Sequence, residues 1–78
     1  MGTDTFDKRD LSSYLPHQQR VLTEKVELDE KIDKLHSFVV GDNFTSIVKN
    51  VQEQILLLQQ LTAMQSYSKI LEARIQFF

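Results

Sequence analysis

The chain is 78 residues long, lacks cysteine, and carries 41% hydrophobic and 26% charged residues with a net charge of −2. That leaves room for one small domain and removes disulfide frameworks, thiolate zinc sites and cysteine nucleophiles. Nine basic residues against eleven acidic ones, without a basic stripe, offer little counterion release, so nucleic acid is not an expected partner.

Residues 1–15 show no period and are expected to form a flexible N-terminal tail. Phe6 stands where a myristoylation motif wants Ser or Thr. No signal-peptide core follows Met1, and no apolar run approaches the ~18 residues that span a bilayer. A cytoplasmic, unanchored protein without membrane contact is the expectation.

Pro16 suits the first turn of a helix, where its missing N–H costs nothing. From there to Val40 the helical pattern is unbroken, and Val21, Leu28, Ile32, Leu35 and Val39 make one apolar stripe. Glu27–Lys31 and Glu30–Lys34 are i,i+4 pairs in the favourable order and mark the wet face. Gly41 is expected to supply a left-handed stop. Asp42 to Asn50 reads as a connector with a short helical turn, plugged by Phe44, Ile47 and Val48. Asn50 followed by Glu53 resembles a capping box, so a second long helix is expected from Val51 to Phe77.

Two helices of similar length joined by a short connector pack most simply as an antiparallel hairpin. The fold class is therefore all-α, with the hairpin domain over residues 16–78. The second helix has only four charged residues: Glu53, Lys69, Glu72 and Arg74. Two apolar columns repeat by sevens along it. One is Leu56, Ala63, Ile70 and Phe77; the other is Leu57, Met64, Leu71 and Phe78. A single partner helix cannot cover so much apolar surface. A homo-oligomer burying Leu57, Met64, Leu71 and Phe78 is the expected remedy.

Between those columns runs a polar ladder: Glu53, Gln60, Tyr67 and Arg74. In the hairpin, positions whose numbers sum to about 92 face one another. That brings Glu24 or Lys25 to Tyr67 and His17 to Arg20 toward Arg74. A cluster of Arg20, Glu24, Tyr67 and Arg74, with His17 and Gln60 at its ends, is the candidate ligand site. Two readings fit it. A satisfied network could fix register in the hairpin, or the arginines could hold phosphate while Tyr67 stacks a base.

Catalysis is not expected. Gly2 and Gly41 stand alone, so no phosphate loop exists. His17 and His36 lie too far apart on one helix to share a metal, and no cofactor is implied.

Two stretches carry a resemblance. The first is Leu15-Pro16-His17-Gln18-Gln19-Arg20-Val21 with Glu24-Lys25, Glu27-Leu28-Asp29-Glu30-Lys31-Ile32 and Lys34-Leu35. The second is Glu53-Gln54, Leu56-Leu57, Gln60, Met64, Tyr67-Ser68, Leu71 and Arg74-Ile75. Together they resemble a group of small helical proteins of tailed phages and prophages, named after a product of a crAss-like phage. Those proteins are expected to carry a proline after the position of Ile47, where this chain has Val48. The resemblance implies a phage origin and action in the host cytoplasm, but no particular activity. Phage proteins of this size often counter host defences. A non-enzymatic protein that sequesters a small anionic cyclic nucleotide signal is the leading expectation. The alternatives are a protein–protein inhibitor or adaptor of the anti-CRISPR kind, acting on a host defence protein, and a purely structural helical oligomer.

Overall fold

The computed structural model describes residues 13–78. The tail expected over residues 1–15 lies outside the described residues except for its last three positions. Helix α1 runs Pro16–Val39, a short α2 runs Phe44–Ile47, and α3 runs Val51–Ile75. Helices α1 and α3 pack along one another, and no strand occurs among the described residues.

Each boundary has a local cause. Pro16 opens α1, and the Gln18 side chain returns to accept from the Leu15 N–H at 3.0 Å. That is half of a capping box, since Leu15 has no side-chain acceptor to complete it. The left-handed stop expected at Gly41 is corrected, because no described residue has a positive φ. Instead Val40 N–H closes the last α-helical turn on His36 O at 3.1 Å, and the chain then tightens, with Gly41 N–H donating to Phe38 O at 3.2 Å. Glycine matters there for another reason. A Cβ at Gly41 would lie 3.2 Å from the Ser37 carbonyl oxygen and 3.4 Å from that of Phe38.

Within the connector only Phe44 serves as the expected plug. It is buried and meets Phe38 edge-on, with ring centroids 5.3 Å apart at 86°. Ile47 is instead 64% exposed, and Val48 is half-buried. The Asn50 side chain accepts from Glu53 N–H at 3.1 Å and starts α3 where the sequence pattern places it.

The core is narrow. Val21, Leu28 and Leu71 are buried together, with Ile32, Met64 and Ile75 packed around them. Leu22, off the stripe, and Leu61 are also buried. This arrangement corrects the expected interface. Leu71 is wholly enclosed and Met64 packs beside it, so both are committed to α1 within the same chain. Leu57, in the same column, is half-buried, while Phe78 lies beyond α3 with its ring centroid 6.4 Å from that of Tyr14. The column left facing outward is the other one, with Leu56 62% and Ile70 56% exposed. A heptad column that is apolar must face something, and α1 takes whichever column lies opposite its own stripe.

Candidate functional site

Two polar seams flank the apolar core, one on each side of the line where α1 meets α3. On the first, Arg20, Glu24, Glu27 and Lys31 recur at four, three and four residues and so share one edge of α1. Tyr67 and Arg74, seven apart on α3, run along the facing edge. The Tyr67 hydroxyl donates to the Glu24 carboxylate across the helices. This is the pairing that antiparallel register implies.

That hydrogen bond holds the Tyr67 phenol above its usual range, assisted by desolvation and by the charge of Glu24. The positive charge of Arg74, two turns along α3, pulls in the opposite direction and is the smallest of these effects. Arg20 lines an open groove of about 410 Å³ with Pro16, Gln19, Thr23, Glu24 and Glu27. A second recess of about 230 Å³ continues from Glu24 and Glu27 to Leu28, Lys31 and Tyr67. The first runs along α1 alone and both open to solvent, so the seam is a shallow groove rather than an enclosed pocket.

The structure pairs Glu24 with Tyr67, sets Arg20 and Glu24 on one groove, and leaves Arg74 two turns further along α3 on the same edge. It does not bring Gln60 in. That side chain is exposed and reaches Met64 Sδ at 3.8 Å on its own helix. Arg20, Arg74 and His17 are exposed. Both arginines of this seam therefore lie in solvent.

The second seam was not anticipated. Lys25 is buried, and its Nζ donates to Asp29 Oδ2 at 2.7 Å and to Ser68 Oγ at 2.8 Å. Ser68 Oγ in turn donates to Asp29 Oδ1 at 2.5 Å. Burial pushes the Asp29 carboxyl up, but the hydrogen bonds from Lys25 and Ser68, with the charge of Lys25, outweigh it and leave it below the usual carboxylate range. A signal did exist in the sequence. Lys25 falls between Val21 and Leu28 at helical spacing, where an apolar residue belongs, and Ser68 follows Tyr67 on the facing helix. A closed triad like this fixes register and leaves no donor pointing to a ligand.

Among the described residues, no three His, Asp or Glu side chains gather to hold a metal, and no helix is long and apolar enough to cross a membrane. The class these features define is a two-helix hairpin: one closed polar seam joins the helices and one open seam faces solvent. The chain belongs to the Sequestin family, whose model matches residues 15–77. No curated protein and no solved structure matches it.

Proposed function

We propose that this protein is a non-enzymatic, phage-encoded binding protein that sequesters a small anionic cyclic nucleotide in the host cytoplasm and so blunts a defence signal. The observation that carries this reading is the open seam itself. An exposed aromatic ring is pinned by Glu24, with Arg74 two turns along the same edge of α3 and Arg20 on the adjoining groove. The family description agrees with a sequestering role. Chemically the seam has two ends. Arg20 and Arg74 suit phosphate oxygens. Glu24 and Glu27, on the groove between, suit the amino and ring N–H donors of a base. The Tyr67 ring offers a stacking face.

The test is calorimetry of the full chain with cyclic dinucleotides, cyclic trinucleotides and cyclic ADP-ribose isomers. Binding in the micromolar range, about −8 kcal/mol, is expected for at least one of them. Charge-assisted hydrogen bonds contribute roughly 1.5–3 kcal/mol each, so Arg74→Ala should weaken it at least tenfold. Tyr67→Ala should weaken it further, with the helical circular dichroism unchanged. If none of these ligands binds, the sequestering reading fails for this class.

A further inference from the structure

The two seams join α1 to α3 at the same level. On α1, Glu24 serves the open seam and its neighbour Lys25 the closed one; on α3, Tyr67 serves the open seam and Ser68 the closed one. Consecutive residues of one helix are thus tied to consecutive residues of the other, each tie spanning 43 positions of sequence. Successive helix residues point ~100° apart, so the ties flank the interface rather than duplicate one another. Between them lies the core, with Val21 and Leu28 of α1 and Leu71 of α3.

The ties differ in what holds them. Lys25 and Ser68 are each 8% exposed, and Ser68 Oγ sits 2.8 Å from Lys25 Nζ and 2.5 Å from Asp29 Oδ1. Water competes poorly for those bonds, and breaking them leaves buried polar atoms unsatisfied. Tyr67 and Glu24 are exposed, so each can exchange their mutual bond for one to water. Such a pair gains little by itself, because ordering two long side chains offsets most of the contact. Something else must keep the helices so placed that they meet.

The apolar core is poorly suited to that task. Its contacts are non-directional, and apolar cores lose uniqueness before they lose stability. Where side chains reach ~5–6 Å from a helix axis, a turn of ~30° about that axis carries a tip through ~3 Å, a whole hydrogen-bond length. A buried polar contact resists such a turn, as a buried Asn fixes register in a coiled coil. We infer that Lys25, Asp29 and Ser68 are positioning residues for the open seam: by fixing the rotation of α3 they hold Tyr67 against Glu24. That the seam so held is a binding site rests on the proposed function. That it is held does not, and the test uses no ligand.

The contact is read in the full chain at neutral pH, as the nuclear Overhauser effect between the Tyr67 ring and the Glu24 side chain. Three variants separate position from stability. Ser68→Val and Ser68→Thr add the same bulk, and only threonine keeps the hydroxyl. Lys25 and Asp29 stay paired at 2.7 Å in both, so neither leaves a buried charge alone. Lys25→Met combined with Asp29→Ala removes one charge of each sign and makes the stripe from Val21 to Leu28 wholly apolar, a change that is often neutral or stabilising. The Overhauser effect should fall by more than half in Ser68→Val and in the double variant, with helical circular dichroism retained. It should persist in Ser68→Thr. The double variant should lose the contact although its melting temperature is unchanged or higher, which a merely structural role does not produce. A full wild-type effect in either Ser68→Val or the double variant overturns the proposal, because the core alone then places Tyr67. Equal loss in Ser68→Val and Ser68→Thr does so too, since bulk rather than the hydrogen bond would then act. Loss confined to variants whose helical signal also disappears, or absence of the effect from the wild-type chain, has the same consequence.

Discussion

Replacing Leu71 with alanine, and separately Ile70 with alanine, perturbs two adjacent residues whose side chains do opposite things. Leu71 is 0% exposed and touches the centre of the core, whereas Ile70 is 56% exposed on the outer face. Leu→Ala in a packed core costs about 2.7–5 kcal/mol, the range reflecting how far the surroundings collapse. Here the core is one side chain thick, so partial collapse of Met64 and Ile75 places the cost near the low end, about 3 kcal/mol. A single core in a chain this size supplies only ~3–5 kcal/mol in all. Leu71→Ala should therefore be marginally folded at best. Ile70→Ala should cost well under about 1 kcal/mol in the isolated hairpin. Urea titration followed by circular dichroism reads both, at a chain concentration low enough to suppress association. With a slope of ~1 kcal/mol per molar, the Leu71 variant should shift by about 3 M or show no folded baseline. If Ile70→Ala proves the more damaging, the assignment of α3 faces is wrong.

Stability should fall with acid through Asp29. Its folded value is depressed, so the contribution is present above the unfolded value near ~4 and is lost as pH drops through the lower folded value. Asp29→Asn should flatten the melting-temperature profile below pH ~4. Tyr67 should ionise at higher pH than a tyrosine free in solution in an ultraviolet titration, and Glu24→Gln should remove most of that difference. Gly41→Ala should change stability by no more than about 0.5 kcal/mol: its φ is not left-handed, and the entropic gain of ~0.4–1 kcal/mol offsets crowding against Ser37 O. A loss above ~1 kcal/mol, read from the shift of the urea midpoint, would mean that the Ser37 carbonyl cannot yield to the added Cβ.

The hairpin was legible because its signals are local. Pro16, Asn50 with Glu53, and the Val21–Leu28–Ile32 stripe fix where helices begin and which face turns inward. Register alone narrowed the residue facing Tyr67 to Glu24 or Lys25, and the contact is with Glu24. The choice between two apolar columns of α3 was not legible. Both have the same period and similar composition, and only the rotation of α3 about its own axis decides between them. In the structure that rotation brings Leu71 into the core and Ser68 to Lys25 and Asp29. The lysine on the apolar stripe of α1 hints at a polar partner but names none on α3. Gly41 misled for a related reason: glycine serves close approach as well as positive φ, and the sequence does not distinguish the two uses.

The antiparallel register also orders events in time. Contacts near the connector, such as Gln54 with Val48 O, close loops of a few residues, while Glu24 meets Tyr67 across 43. Tyr14 and Phe78 join opposite ends of the described chain. Loop-closure entropy rises along that series, so the hairpin should zip from the Phe38–Phe44 corner and open from the other end. The open seam lies toward the end that frays. Amide protons around Arg20 and Arg74 should thus exchange sooner than those beside Ile32. A molecule that bridges the two helices there would act as a clasp on a zipper, and slowed exchange at those amides would register its arrival before any change in shape.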